Sequence, residues 1–266
     1  MSTGTFIWYE LMTTDPGSAA KFYGAVVGWK IPDQPNPMPA GRDYRMIGRS
    51  DGGSAGGVLK LSPDMVKHGA MPCWMGYLHV ADVDAAVKAI SADGGKVLMP
   101  RMDLPVGSIA MVADPMGTPF YMMNPIPPPG KPEGKSDVFD VKAVQRVRWN
   151  ELASPDLVRA KTFYAKHFNF QFNDVMPMGP MGDYCFIDHD GVRLGAIMAK
   201  QPSNPSPIGT WMFYFGVPSV SAARRAITAG GGKIMLDMLE VPGGDWIVVA
   251  ADPAGATFGV AGPKGE

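Results

Sequence analysis

Residues Phe6 to Met12 are bulky and apolar except for Glu10, and this run predicts a β-strand whose alternating side chains put Trp8, Glu10 and Met12 on one face. Asp15 and Pro16 then provide a helix N-cap and a proline at the first helical position. Apolar residues follow at helical spacing, namely Ala19, Phe22, Tyr23, Val26 and Val27. Gly28 is the expected end of this helix, because glycine readily takes the left-handed conformation.

The same strand and helix occur a second time. Trp149–Leu152, Asp156 and Phe163–Tyr164 repeat Trp8–Leu11, Asp15 and Phe22–Tyr23 at a constant offset of 141 positions. A period of this size is that of a whole domain, whereas solenoid and propeller repeats span about 20–50 residues. The chain is therefore predicted to contain a duplicated domain.

Each half also contains an internal copy of the unit. In the first half, Cys73–Val80 is a predicted strand, Asp82 caps a second helix, and three more strands follow. Met212–Val217 and the helix capped by Ser219 take these places in the second half. Short strands are also predicted at Trp29–Ile31 and Val58–Leu61, the latter after a glycine-rich turn over Asp51–Gly57.

These patterns predict an α+β protein made of four βαβββ units. The first two form a domain over residues 1–125 and the last two a domain over residues 144–266. Residues 126–143 are rich in Pro, Gly and Lys and are predicted to be an extended, solvated linker. We number the four units as repeats 1 to 4.

Composition excludes several classes of function. Of the 266 residues, 46% are hydrophobic and the net charge is −1, without a basic run of the kind that binds nucleic acid. No apolar stretch reaches the ~20 residues needed to span a membrane. The start of the chain lacks the features of a signal peptide, and the two cysteines do not recur between the halves. We predict a cytoplasmic protein, monomeric or homodimeric, with a small-molecule partner.

Several motifs resemble the vicinal-oxygen-chelate superfamily, which includes glyoxalase I, bleomycin-resistance proteins and extradiol dioxygenases. They are Asp15 with Phe22–Tyr23 and Gly28–Trp29, the Val80–Asp84 helix start, and Asp114–Gly117 before the last strand of the first half. The tandem arrangement and the Trp-x-Glu-Leu opening resemble a two-domain bacterial glyoxalase-like branch. The resemblance implies that the units curl into cup-shaped sheets.

In metal-dependent members of that superfamily, His, Gln or Glu side chains in the cup bind one divalent ion. The resemblance carries those ligand positions onto eight residues of this chain: Trp8, Lys60, Met75, Tyr121, Trp149, Met198, Met212 and Gly259. None offers an imidazole or a carboxylate, the donors that such ions prefer. We therefore predict no cofactor and no metal site, with an unconventional divalent metal as the alternative.

The cups retain aromatic, methionine and ionisable residues. If the ligand-equivalent positions face inward, so do Glu10, Glu151, Tyr77, Tyr214 and His79. Burial disfavours the charged form of a carboxylate, so Glu10 or Glu151 is a candidate general base, and an architectural role is the alternative. His79 is either an acid–base partner or a core or rim residue.

The sequence leaves open whether repeats pair within or across domains. The cup containing Gly259 is predicted to be roomier than the cup containing Tyr121, because glycine lacks a side chain. Apolar walls with a few polar groups suit a small, partly aromatic ligand. We therefore predict a small-molecule-binding protein. The alternatives are a metal-independent lyase, isomerase or dioxygenase-like enzyme, and a structural or regulatory protein whose cups are filled by its own side chains.

Overall fold

The computed structural model describes residues 1–37, 41–127, 134–204 and 206–266. The helices are α1 (Pro16–Val26), α2 (Pro63–Lys67), α3 (Val83–Ala92), α4 (Leu157–Phe168) and α5 (Val220–Ala229). The strands are β1 (Phe6–Thr13), β2 (Tyr44–Gly48), β3 (Ser54–Lys60), β4 (Cys73–His79), β5 (Lys96–Leu104), β6 (Gly107–Ala113), β7 (Pro119–Pro125), β8 (Val147–Ser154), β9 (Val175–Pro177), β10 (Asp183–His189), β11 (Val192–Ala199), β12 (Thr210–Gly216), β13 (Lys233–Glu240), β14 (Trp246–Ala251) and β15 (Thr257–Gly262).

The predicted α+β fold is confirmed. Repeats 2, 3 and 4 each contain a strand, a helix and three further strands, beginning with β4, β8 and β12. Repeat 1 differs, since its described residues form β1, α1 and two further strands only. The strand predicted at Trp29–Ile31 is reduced to an isolated bridge between Lys30 and Gly48, and the short helix α2 was not predicted.

The predicted helix caps are confirmed. The side chains of Asp15, Asp82, Asp156 and Ser219 accept hydrogen bonds from backbone amides in the first turns of α1, α3, α4 and α5. At the other end of α1, Gly28 has a φ of 85° and its amide donates to the carbonyl of Tyr23 at 3.2 Å. The caps could be predicted from the sequence because each one depends on residues a few positions apart.

The glycine-rich stretch before Val58 differs from its prediction. Strand β3 begins at Ser54, so Gly56 and Gly57 lie in a strand and not in a turn. A Cβ atom on Gly56 would come within 2.1 Å of the carbonyl oxygen of Tyr9 in the neighbouring strand β1. The glycines therefore serve a close approach of two backbones.

The strands form two sheets with related orders. The first is β2-β3-β1-β4-β7-β6-β5, and the second is β13-β14-β15-β12-β8-β11-β10-β9. Repeats 1 and 2 thus share one sheet, and repeats 3 and 4 share the other. The first strand of each repeat runs parallel to the last strand, as β1 does with β3 and β8 with β11.

By compactness the chain divides into two units that interleave along the sequence. The first compact unit contains residues 1–7, 76–136 and 149–211, and the second contains residues 8–75, 137–148 and 212–266. In the first, the helices of repeats 2 and 3 come together, and in the second α1 packs against α5. The repeats therefore pair within a domain through the sheets and across domains through helix packing, which answers the question that the sequence left open.

A buried Trp–Tyr–Asp chain of hydrogen bonds holds each compact unit together. In the second unit, Trp74 Nε1 donates to the Tyr23 hydroxyl at 2.8 Å, and this hydroxyl donates to Asp252 Oδ2 at 3.1 Å. In the first unit, the same chain runs from Trp211 through Tyr164 to Asp114, with both distances 3.1 Å. The pKa values of the Asp114 and Asp252 carboxyls are raised, mainly because both groups are buried.

Residues 128–133 of the predicted linker lie outside the described residues. The part after them is anchored and not merely solvated. Val138 is only 2% exposed, and the carboxylate of Asp137 accepts hydrogen bonds from the buried guanidinium of Arg49. The predicted extended linker therefore has at least one buried attachment, made by residues far apart in the sequence.

Candidate functional site

Glu151, on β8 in the first compact unit, is a half-buried carboxylate next to aromatic side chains. Trp149 Nε1 donates to the hydroxyl of Tyr184 at 2.8 Å, and this hydroxyl donates to Glu151 Oε2 at 2.6 Å. All three residues are half-buried. We call Trp149, Glu151 and Tyr184 the Trp149 cluster. The Tyr184 hydroxyl thus reaches across β11 from β10 and orients the carboxylate on β8.

Three side chains extend the Trp149 cluster into a continuous face. Phe186 makes edge contacts with both Trp149 and Tyr184, at ring centroid distances of 6.0 and 5.6 Å. Met198 lies opposite Tyr184 in the β10–β11 register. The guanidinium of Arg193 covers Phe186 at 4.4 Å and donates to Asp188 at 2.9 Å.

The electrostatics keep the Tyr184 hydroxyl protonated. Burial is the largest cause that raises the pKa of this hydroxyl well above its usual value, and the neighbouring Glu151 carboxylate adds to it. A neutral hydroxyl has one proton, and the geometry directs it to Glu151. Tyr184 is therefore a hydrogen-bond donor to the carboxylate and not a base.

The duplicate of this arrangement lies in the second compact unit and is more closed. Trp8 Nε1 donates to the hydroxyl of Tyr44 at 2.8 Å, and Glu10 lies two residues along the same strand. We call Trp8, Glu10 and Tyr44 the Trp8 cluster. Here the carboxylate residue is only 3% exposed, whereas Glu151 is half-buried.

One position explains part of this difference. Gly57 lies opposite Glu10 in the register of β1 and β3, and Ala196 lies opposite Glu151 in that of β8 and β11. A Cβ atom on Gly57 would lie 2.0 Å from the hydroxyl oxygen of Tyr44. Tyr44 thus occupies the space of the missing side chain, whereas the corresponding position beside Glu151 carries the methyl group of Ala196.

Cys73 adjoins the Trp8 cluster but is not reactive. Burial, with a smaller contribution from the charge of Glu10, raises the pKa of its thiol to about 12. The nucleophilic and metal-binding form of cysteine is the thiolate. Cys73 is therefore a protonated thiol at neutral pH.

The tyrosines predicted to line the cups fill space themselves. Tyr77 and Tyr121 lie opposite each other in β4 and β7 and stack with centroids 4.3 Å apart, and they are 6% and 4% exposed. Tyr214 lies over Gly259, where a Cβ atom would come within 2.2 Å of its ring. The extra room predicted at Gly259 is therefore absent, because Tyr214 occupies it.

The register corrects one predicted site residue. Met12 lies opposite Leu59 and Thr13 opposite Lys60, so Lys60 is on the other face of the sheet from Trp8 and Glu10. Leu59 is the structural equivalent of Met198, since the two lie opposite Tyr44 and Tyr184. Met75 is 2% exposed, and Met212 is half-buried.

His79 is held by the start of the chain. Its Nδ1 donates to the carbonyl of Ser2 at 2.9 Å, and the amide of Gly4 donates to the carbonyl of His79 at 2.9 Å. Burial lowers the pKa of the His79 imidazole, which favours the neutral form. His189, from the Asp-His-Asp-Gly turn, donates in the same way to the carbonyl of Thr3 at 2.8 Å. These contacts are structural.

The sequence model of the Glyoxalase/Bleomycin resistance protein/Dioxygenase superfamily matches residues 5–121 and 146–260. The chain belongs to this superfamily. Two curated relatives match nearly their full length. CFP32 of Mycobacterium tuberculosis, whose name contains the term glyoxylase, is 28% identical over 98% of this chain and 95% of its own. The anthracycline biosynthesis protein DnrV of Streptomyces peucetius is 27% identical over 97% and 92%.

Solved structures of the superfamily share the fold. The Mn(II)-bound glyoxalase from Novosphingobium aromaticivorans has a TM-score of 0.62 at 15% identity, with 100% of this chain and 83% of that chain covered. The 2,2',3-trihydroxybiphenyl 1,2-dioxygenase of Sphingomonas wittichii has a TM-score of 0.64 at 11% identity, with 98% and 90% covered. At these identities the similarity concerns the fold alone.

The superfamily includes metalloenzymes, so the donor set of this member is informative. The positions carried over from metal-dependent members are Trp8, Lys60, Met75, Tyr121, Trp149, Met198, Met212 and Gly259, and the register of β1 and β3 puts Leu59 on the face of Trp8 in place of Lys60. These side chains do not fit a divalent ion, which prefers imidazole and carboxylate donors. Within the described parts of the chain, no three His, Cys, Asp or Glu residues come close enough to hold a metal.

Tyr44 and Tyr184 were not predicted as site residues, although each follows an aspartate. Their spacing of 140 positions breaks the period of 141 positions set by the tryptophans.

The longest described helix, α4, has 12 residues, and none of the described helices is long and apolar enough to cross a bilayer.

Proposed function

We propose that this glyoxalase-like protein binds a small, partly aromatic organic molecule on the face formed by the Trp149 cluster, Phe186 and Met198. The observation that carries this proposal is the oriented carboxylate of Glu151 within a half-buried aromatic surface. Apolar and aromatic walls with a few convergent polar groups are typical of small-molecule sites. Met198 adds a side chain that adapts to ligands of different shape.

The relative DnrV supports the same class of ligand. Its name refers to the biosynthesis of anthracyclines, which contain fused aromatic rings. An open aromatic face with one oriented acceptor suits a flat ligand that stacks and donates a hydrogen bond. We assign the Trp8 cluster a structural role, because Glu10 is buried and Tyr44 fills the space above Gly57.

A metal-independent enzyme is the second candidate function. The 2.6 Å contact with Tyr184 fixes the Glu151 carboxylate within reach of a ligand on this face, as a general base requires. If a ligand of this face is converted, Glu151→Gln should abolish turnover while binding of the substrate persists. Binding without conversion would leave the first candidate.

The binding proposal predicts different effects for two matched tryptophan variants. In a thermal-shift screen of small aromatic compounds, bound ligands should raise the melting temperature of the wild-type protein. Trp149→Leu should weaken binding of those compounds about tenfold, since it removes both a stacking surface and the donor that holds Tyr184. Trp8→Leu should leave their affinity within about twofold.

Both variants need circular dichroism to show that they remain folded, and titration calorimetry gives the affinities. Equal affinities of the wild-type protein and Trp149→Leu would place the ligand elsewhere. A loss confined to Trp8→Leu would transfer the site to the Trp8 cluster.

We further propose that the superfamily's metal positions bind no metal in this chain, because they carry indole, thioether, phenol and aliphatic groups. Elemental analysis of protein purified without chelators or a histidine tag should find less than about a tenth of an equivalent of zinc, nickel, iron or manganese. A near-stoichiometric amount of any of these metals would overturn this proposal. Glu10, Glu151 and His79 would then be the first residues to test as ligands.

A further inference from the structure

We infer that the face formed by the Trp149 cluster, Phe186 and Met198 selects ligands in which an aromatic ring carries a cationic group, such as a protonated amine. This inference rests on the ligand face proposed above and assigns the charge of its ligand. Two observations support it. The side chain of Arg193 already makes a cation–π contact with this face, and the duplicated strands differ in charge.

The cation–π contact is made by the guanidinium of Arg193. This guanidinium lies 4.4 Å from the ring centroid of Phe186, so an aromatic ring of this face already holds a positive charge. The rings of Trp149 and Tyr184 belong to the same edge-to-face group. Ring faces carry negative electrostatic potential and attract cations within about 6 Å. A ligand ammonium beside these rings would also lie next to the Glu151 carboxylate.

The surrounding charge also favours a cation. Residues 181–200, which contain β10 and β11, carry three acidic residues and only two basic residues. Both bases are engaged: Arg193 pairs with Asp188 and Asp174, and Lys200 donates to the carbonyls of Asn204 and Ser206. The segment that carries Tyr184 and Phe186 therefore has a net charge of −1.

The corresponding strands of repeat 1 have the opposite balance. Residues 41–60 contain four basic residues and two acidic residues. The position of Phe186 is also taken there by Met46, which has no aromatic face. The acidic, aromatic character thus belongs to the open copy and is not a general property of the duplicated strands.

Three naphthalene probes of similar shape test the inference on the full chain: 1-naphthylmethylamine, 1-naphthalenemethanol and 1-naphthoate. By titration calorimetry at neutral pH, the amine should bind about tenfold more tightly than the alcohol, and the carboxylate should bind most weakly. The preference for the amine should fall when salt is raised from about 0.05 M to about 1 M, because ions screen exposed charges. Glu151→Gln should reduce it to about twofold or less, whereas Glu10→Gln should leave it unchanged.

The outcomes separate this inference from the proposed function. If the alcohol or the carboxylate binds as tightly as the amine, and Trp149→Leu still weakens both, the face binds aromatic ligands and the cationic preference is refuted. A preference that survives in Glu151→Gln would also refute it. If none of the three probes binds the wild-type protein, both proposals fail.

Discussion

Asp252→Ala should lower the free energy of unfolding by about 3 kcal/mol, because several buried donors would lose their acceptor. The carboxylate accepts hydrogen bonds from the Tyr23 hydroxyl at 3.1 Å and from the amides of Ala254 and Ala256 at 2.9 Å. Tyr23 is completely buried, so water does not replace the lost partner. Urea unfolding followed by circular dichroism measures the change.

Asp252→Asn is the matched control and should cost about 1 kcal/mol. An amide retains an acceptor oxygen for Ala254 and Ala256, and it carries no charge, whereas burial raises the pKa of the Asp252 carboxyl by disfavouring its charged form. Asp114→Ala, in the other compact unit, should have an effect similar to that of Asp252→Ala, since Asp114 accepts from Tyr164 in the same way. If both alanine variants lose less than about 1 kcal/mol of unfolding free energy, the structural role of the two Trp–Tyr–Asp hydrogen-bond chains is contradicted.

Gly195→Ala should also cost about 3 kcal/mol and should weaken ligand binding. A Cβ atom on Gly195 would lie 1.7 Å from the carbonyl oxygen of Asn150, which is a backbone atom and does not move alone. Gly195 lies opposite Asn150 in the register of β8 and β11. The substitution would displace the strand that carries Trp149 and Glu151.

Gly17→Ala, in α1, provides the comparison for Gly195→Ala. Its Cβ atom would meet only the Asp15 side chain, at 3.4 Å, and alanine favours a helix. Unfolding free energy and ligand affinity should therefore remain within about 0.5 kcal/mol of the wild-type protein. A wild-type affinity in Gly195→Ala would show that the geometry of β8 and β11 does not determine binding.

Local sequence patterns predicted the elements and their duplication correctly. The alternation around Trp8 and Trp149, the caps at Asp15 and Asp156, and the glycine after α1 each depend on residues close together in the chain. Such signals act within a strand or a helical turn, where steric preference and backbone hydrogen bonding dominate. The superfamily could be recognised for the same reason, because its motifs are these local features in a fixed order.

The candidate site was predicted only in part. Trp149, Glu151 and Met198 were predicted as site residues, and the structure brings them together with Tyr184. Lys60 was predicted in place of Leu59, because a shift of one residue in a strand reverses the face of the sheet. The pairing register that decides between them depends on contacts between separate strands.

The sequence by itself determined the fold class, the duplication and the superfamily. Only the tertiary structure showed that repeats pair through sheets within a domain and through helices across domains. It also showed that Tyr44 fills the space above Gly57 and that Glu10 is buried, whereas Glu151, opposite Ala196, remains half-buried. Space above a strand depends on side chains that are distant in sequence, so no local pattern distinguishes a closed copy from an open one.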